Sequence, residues 1–226
     1  MKKVFLFLLL GFPLLLFSQI GDKEMYGYSR VGVGIGLTDV PFTSDIAGNS
    51  QEYPVSTSLN LGAGTAIEFG LGLMLFRNLY IEPSLSYTFL SEKIDNNEAV
   101  QYYISKYSFN KISIGVSSVY IVVVDESFHL DLSVGLGIVM PQQLVVSTSH
   151  GVEKVNFNSA IGYHGGFGGN YIHNRFVYGL GLRYRVETYI SSYDQRNSPN
   201  FSELNPKIDP MKVVGADVTL TVKYLF

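Results

Sequence analysis

The stretch Val31–Leu37, VGVGIGL, places a glycine at every second position between aliphatic residues. Glycine packs no side chain and loses much entropy on folding, so it is scarce inside strands. A dinucleotide-binding turn would need G-x-G-x-x-G between a strand and a helix, but the sixth residue from Gly32 is Leu37 and from Gly34 is Asp39. The alternation therefore indicates a β-strand that has one face of small residues.

The first 19 residues have the pattern of a secretory signal peptide. Lys2 and Lys3 precede an apolar run, Val4–Phe17, and Ser18-Gln19 provides a cleavage site. The run is too short for a spanning helix, which needs about 20 apolar residues, although an N-terminal anchor helix is the alternative. We expect an exported protein whose mature domain covers residues 20–226.

Composition narrows the class of protein. The net charge of −3 gives no reason to expect a nucleic-acid partner. The chain has no cysteine, whereas small soluble secreted domains usually depend on disulfides. An exported chain of this kind must be stabilised in another way.

Period-two alternation of apolar residues predicts eight strands. The predicted segments cover residues 26–38, 62–76, 79–90, 107–123, 127–140, 157–172, 176–188 and 212–226. One face of these segments is mainly apolar; it includes Val31, Leu73, Leu136, Phe157 and Val214.

The connections between these segments alternate in length. Three are tight turns, at Arg77-Asn78, Asp125-Glu126 and His173 to Arg175. Four are long and polar, at residues 39–61, 91–106, 141–156 and 189–211. An even strand count with short turns at one end is typical of an up-and-down transmembrane β-barrel of the bacterial outer membrane.

The second face of each segment decides which side meets lipid. A soluble barrel of the lipocalin type has the same period, but its outer face carries long charged side chains. Here that face holds mainly Gly, Ser and Thr with scattered charges. Eight strands enclose only enough room for side chains to fill. We therefore expect the small face to line the lumen and the apolar face to contact acyl chains.

The end of the chain carries a resemblance to a known family. Alternating apolar residues close on a terminal phenylalanine, as in the C-terminal assembly signal of outer-membrane barrels: Val218, Leu220, Val222, Tyr224 and Phe226. The whole mature chain resembles the eight-stranded outer-membrane β-barrel domain family, the OmpA/OmpX-type and PorT-like barrels. The resemblance implies an integral outer-membrane protein whose partners are outer-membrane lipid and the barrel-insertion machinery.

The inward charges are the candidate site. Three acidic residues, Glu68, Glu82 and Asp131, are expected to face three basic residues, Arg183, Arg185 and Lys223, inside the lumen. Isolated charges are costly in such a space, so they should pair. The pairs form either a structural plug or a gate for water and small ions. His129 and His164 also face inward, but three or four convergent ligands are missing, so neither a metal nor a cofactor is expected.

Three functions follow from this interpretation. The first is a non-enzymatic scaffold that presents extracellular loops or serves as a subunit of an envelope assembly, with an envelope protein docked on the long loops. The second is a narrow passive pore. The third is a lipid-modifying enzyme, since barrels of this size include lipid A deacylases; adjacent Ser149 and His150 would then be candidates, although adjacency alone does not make a catalytic triad.

Overall fold

The computed structural model describes residues 25–44, 55–93, 104–148, 151–189 and 211–226. The predicted signal peptide, and all but residues 189 and 211 of the fourth long link, lie outside the described residues. The described residues contain no helix long and apolar enough to cross a membrane. They form strands, numbered here in chain order.

Eight long strands form the body of the molecule. They are β1 (Met25–Gly36), β4 (Gly64–Phe76), β5 (Leu79–Phe89), β8 (Lys111–Val123), β9 (Phe128–Pro141), β12 (Ala160–His173), β13 (Phe176–Tyr189) and β14 (Met211–Leu225). They pair antiparallel in the order β1-β14-β13-β12-β9-β8-β5-β4, and β1 also pairs with β4. The sheet is therefore a closed barrel, which confirms the predicted fold class.

The two ends of the barrel differ in their connections. The three short turns lie at the end where β1 begins and β14 ends; we call this the short-turn end. Asn78 and Asn174 adopt positive φ angles of 66° and 54° in two of these turns, a conformation that asparagine tolerates better than most residues. The opposite, long-loop end carries the four long connections.

The apolar face of the strands lies outside, as predicted. Val33, Leu136, Leu182 and Leu220 are each about half exposed or more on the barrel exterior. In a bilayer such a surface contacts acyl chains at no cost, whereas in water it would be a large apolar patch. The exterior is therefore that of a transmembrane barrel.

Three predicted exterior positions are corrected by the structure. Val214 is buried at the long-loop end, where its backbone binds Leu37 and Thr38. Phe157 precedes β12 and packs into an interior apolar cluster. Leu73 is also buried. Alternation predicts which face a residue occupies, but not that loops or neighbouring side chains cover it.

The long links are not simple polar loops. They contain β2 (Val40–Ser44), β3 (Val55–Leu59), β6 (Ser91–Lys93), β7 (Ile104–Ser108), β10 (Leu144–Thr148) and β11 (Gly151–Val155). Strands β2 and β3 form a hairpin, and the other four form a sheet in the order β11-β10-β7-β6. The predicted fourth segment, 107–123, is consequently two strands, because the chain breaks between Ser108 and Lys111 to leave the barrel wall.

Candidate functional site: the charged lumen

Among the described residues, ten charged side chains meet inside the barrel. Five are acidic and five basic, so their formal charges balance, and each takes part in at least one ion pair: Glu68, Glu82, Asp131, Glu187, Asp217, Arg30, Lys111, Arg183, Arg185 and Lys223. The strand alternation brings them to one face, and the closed wall removes them from bulk water. Such charges are tolerated only when they are paired and hydrogen-bonded.

Glu68 is the centre of this network. Its carboxylate accepts hydrogen bonds from Arg30 Nη1 at 2.7 Å, from Arg183 Nη1 at 2.5 Å and from the hydroxyl of Tyr28 at 3.0 Å. Arg183 also donates to Asp217 at 3.3 Å. These contacts connect β1, β4, β13 and β14 across the lumen, so the network crosslinks strands that are not all neighbours.

Toward the long-loop end, Arg185 and Asp217 form a two-bond pair. Arg185 Nε and Nη2 donate to the two carboxylate oxygens of Asp217 at 2.6 and 2.8 Å. Arg185 also donates to Glu187 at 3.2 Å, and Lys111 donates to Glu187 at 2.7 Å. The guanidinium reaches the backbone oxygen of Gly62 at 3.3 Å, which links the network to the segment that enters the barrel mouth.

Toward the short-turn end, Lys223 joins two acidic residues. Its ammonium group donates to Asp131 at 2.6 Å and lies 4.0 Å from Glu82. The Tyr26 hydroxyl donates to Glu82, and Lys223 lies 4.8 Å from the centre of the Tyr26 ring. Arg30 approaches Glu82 at 3.5 Å and so connects this group to the central one.

Two of the three glycines of VGVGIGL have close neighbours inside the lumen. A side chain at Gly34 would collide with the Asp217 carboxylate, and one at Gly36 would collide with the Asn60 amide. At Gly32 an added Cβ would meet Thr219 at 3.4 Å, which is close to ordinary contact. Glycine thus leaves room for the Asp217 carboxylate at position 34 and for the Asn60 amide at position 36.

Two apolar clusters close the lumen above and below the charges. The mouth cluster, at the long-loop end, includes Leu59, Leu61, Tyr107, Phe109, Leu144, Val146 and Tyr189, all of them buried. The base cluster, at the short-turn end, consists of Tyr26, Tyr28, Tyr80 and Val119, with Met74, Ile121 and Leu225 packed against it. Burying each large apolar side chain contributes roughly 1.5–3 kcal/mol, so both closures are held by packing.

The mouth cluster has one hydrogen-bonded tyrosine outside the barrel wall. The hydroxyl of Tyr107, on β7, accepts a bond from the Asn60 backbone N–H at 3.0 Å and donates to Glu92. Burial raises the pKa of Tyr107 above its ordinary value, and the Glu92 carboxylate raises it further. The phenol therefore stays protonated at physiological pH and keeps the Leu59–Leu61 segment attached to the loop sheet.

Small polar cavities remain within the lumen. One of about 40 Å³ is bordered by Asp131, Asn170 and Arg183, and another of about 50 Å³ by Glu68, His164 and Arg183. Each has room for only a few water molecules. Near the second, the Ser117 hydroxyl and His164 Nε2 lie 2.9 Å apart. No group of three or more metal-ligating side chains occurs in the part of the chain that the structure describes.

The six sequence-predicted lumen residues all enter the ion-pair network. Sequence reasoning missed Arg30 and Lys111 as members, although each has the inward phase of its strand. It also missed Tyr26 and Tyr28 as hydrogen-bond donors. Of the five assembly-signal residues, each faces outward on β14 or at the chain end. Ser149 and His150 lie outside the described residues.

Comparison with known proteins finds similarity at the level of structure. No model of a protein family matches the chain, and no curated protein sequence matches it. Neisserial surface protein A is similar at 14% identity and a TM-score of 0.49, covering 89% of this chain and 97% of that one. Ail, the attachment invasion locus protein of Yersinia pestis, gives 14% and 0.46, over 90% and 99%. The outer membrane protease OmpT from Escherichia coli gives 11% and 0.40, over 91% and 97%.

The closed wall, the apolar exterior and the balanced charges inside define the class. The protein is an eight-stranded antiparallel transmembrane β-barrel of the outer-membrane type. Within that class it has a filled lumen and a folded layer of loop strands at one end.

Proposed function

We propose that the protein is a non-enzymatic integral outer-membrane barrel that presents a folded surface layer. The observation that carries this proposal is the filling of the lumen by paired charges between two apolar clusters. A barrel closed in this way supports what is attached to it and transports nothing. The long-loop end carries the additional strands of the molecule. Binding residues are usually found on loops that a rigid scaffold positions.

The orientation follows from the same asymmetry. The short-turn end, with both strand termini, faces the periplasm, and the long-loop end lies outside the cell. The last strand carries outward-facing Val218, Leu220 and Val222, and the chain closes on Phe226. The barrel-insertion machinery would bind this segment. The N-terminal signal peptide would be cleaved during export.

The surface layer is suited to docking because its strands are paired and packed onto the barrel mouth. Strands β7 and β10 pair with each other, and Tyr107, Leu144 and Val146 anchor them in the mouth cluster. An envelope protein would dock on this layer and on the fourth link. Replacing residues 190–210 by a short Gly-Ser turn should abolish recovery of the partner from detergent-solubilised membranes. Equal recovery with and without the link would count against docking through it.

Conductance in planar bilayers tests the filled lumen. We expect no channel events for the wild-type barrel, and none for Arg183→Ala, because the two apolar clusters persist when one cation is removed. Discrete openings in the wild type would overturn the scaffold proposal in favour of the passive pore.

No observation on the described residues favours the enzyme. The Ser117–His164 pair is inside the wall beside a cavity of about 50 Å³, which has no room for a lipid. The lipid A mass spectrum should be unchanged on deletion and on overexpression of the protein. A shift in lipid A mass that depends on the protein would contradict its non-enzymatic assignment.

A further inference from the structure

Four aromatic rings lie beside one cation at the short-turn end. We call it the rim site: Arg175, Phe176, Tyr178, Tyr224 and Phe226. The four rings come from β13, β14 and the chain end, and all lie partly exposed on the exterior. Phe176 lies 5.3 Å from Tyr224, and Tyr224 lies 5.5 Å from Phe226, each in an edge-on arrangement. Phe176 also stacks on Tyr178 at 6.4 Å.

Arg175 is fixed at the edge of these rings. It lies in the tight turn between β12 and β13, and its backbone oxygen accepts a hydrogen bond from Leu225 N–H at 2.9 Å. Its Nη1 donates to the Tyr224 hydroxyl at 3.4 Å. Among the described residues, Arg175 has no carboxylate partner. Most of its five N–H donors are therefore available to an acceptor outside the protein.

The neighbouring turn has the opposite charge. Asp125 and Glu126 lie between β8 and β9, and Asp125 Oδ1 accepts bonds from the backbone N–H groups of Ser127 and Phe128. Its carboxylate is therefore engaged within its own turn. An anion approaching the short-turn end is favoured at Arg175 and disfavoured at the acidic turn.

We propose that the rim site binds the phosphate of a phospholipid headgroup. Aromatic rings concentrate at the headgroup level of a bilayer, and a guanidinium matches the geometry of phosphate oxygens. The glycerol and acyl chains would then lie against the rings and the apolar exterior above them. This inference depends on the proposed membrane location and goes beyond it, because it assigns one headgroup position on the barrel.

The test measures lipid retention by the complete barrel in detergent, using native mass spectrometry. The probes are dioleoylphosphatidylglycerol, dioleoylglycerol, which lacks the phosphate, and inorganic phosphate. We expect the wild type to retain the phospholipid at concentrations about tenfold below those that Arg175→Gln needs, since charge-assisted hydrogen bonds are lost. Arg175→Lys should need an intermediate phospholipid concentration, because lysine keeps the positive charge but lacks the planar guanidinium group.

Arg77→Gln is the matched control. Arg77 is also exposed in a short turn beside an exposed phenylalanine, Phe76, and we expect its phospholipid retention to equal that of the wild type. Equal retention by Arg175→Gln and wild type would overturn the proposal. So would equal binding of dioleoylglycerol, or displacement of the phospholipid by an equal concentration of inorganic phosphate.

Different measurements test the membrane location and the rim site. Heat-modifiable migration and insertion into bilayers report the membrane barrel, and we expect both to be unchanged in Arg175→Gln. Loss of insertion in the wild type would refute the membrane location, whereas loss of phosphate selectivity in an inserted barrel refutes the rim site alone.

Discussion

Gly34 shows how one residue determines the interior of the barrel. It pairs with Asp217 across β1 and β14, and its missing side chain leaves room for the Arg185–Asp217 pair. The entropy cost of glycine in a strand is roughly 0.5–1 kcal/mol relative to alanine. Breaking a buried ion pair costs more, about 3–5 kcal/mol, so the glycine is favourable on balance.

Gly34→Ala should therefore destabilise the barrel, because the added methyl displaces the Asp217 carboxylate from Arg185. We expect a loss of about 1–3 kcal/mol in the free energy of unfolding, typical of overpacking, measured by urea unfolding in lipid vesicles. Gly32→Ala is the control on the same face of β1, where an added Cβ meets Thr219 at 3.4 Å. Equal losses for the two variants would argue against the steric explanation.

At the residue scale, the sequence predicted which side chains face the lumen better than it predicted which of them pair. Glu68 and Arg183 were expected to face inward, and they do; their pairing depends on the register and diameter of the closed barrel. Arg30 shares the phase of Gly32 and Gly34, which is the signal that could have found it. Lys111 lies inside the predicted segment 107–123 and has its inward phase, so the same signal could have found it.

At the scale of a strand, β9 has two chemically distinct faces. Leu136 is 54% exposed on the exterior, whereas Ser133 borders the lumen cavity of about 40 Å³ and donates to the Gly166 backbone oxygen. The effect of a substitution on β9 should therefore depend on whether its side chain faces the exterior or the lumen.

Leu136→Arg should impair assembly more than Ser133→Thr. A cation facing the acyl chains costs about 2–4 kcal/mol near the midplane, whereas a methyl group in the lumen enters a small cavity. Heat-modifiable migration on gels measures the folded fraction of each variant. Similar folded fractions for both would contradict the assignment of the faces.

The loop strands form a second unit of packing above the barrel. Phe109 is fully buried in the mouth cluster, with Phe157 and Tyr189 edge-on at 5.5 and 5.7 Å. Phe109→Ala should release the loop sheet while the barrel stays closed, because the barrel is held by its own backbone ladder. We expect faster amide exchange in β7 and β10 and unchanged exchange in β13.

Val145→Ala is the control for that experiment. Val145 lies on β10 but is only half-buried and outside the mouth cluster, so exchange in β7 should stay near that of the wild type. If Phe109→Ala leaves exchange in β7 and β10 unchanged, the mouth cluster does not hold the loop sheet.

At the element scale, the long strands were predictable and the loop strands were not. A barrel strand shows a long run of alternation because one whole face meets lipid. Strands such as β7 and β10 are five residues long, and Tyr107, Leu144 and Val146 on these strands pack into the mouth cluster. Phe157 was misassigned for the same reason, since its apolar character serves this cluster rather than the exterior.

The whole molecule combines an apolar exterior with an interior of balanced charge. Each of the five acidic and five basic lumen residues of the described chain takes part in at least one ion pair, and an apolar cluster lies at each end of the lumen. One carboxylate oxygen of Glu82 and one of Asp131 have no hydrogen-bond partner among the described atoms. The chain has no cysteine, so no disulfide contributes to the stability of this arrangement. In the scaffold role that we propose, the long-loop end presents the binding surface.

Single spin labels on β9 measure whether this exterior contacts lipid. Because the chain has no native cysteine, Leu136→Cys and Ser133→Cys each give one labelling site in the bilayer-reconstituted protein. The first label would lie on the exterior face of the strand and the second on the lumen face.

The measurement compares the relaxation of each label by oxygen, which partitions into acyl chains, with its relaxation by a water-soluble nickel chelate. The account predicts that the label at position 136 is relaxed strongly by oxygen and weakly by the chelate, and that the label at position 133 is protected from both. Strong relaxation of the label at position 136 by the chelate, or a processed chain that stays dispersed in water without detergent, would contradict it.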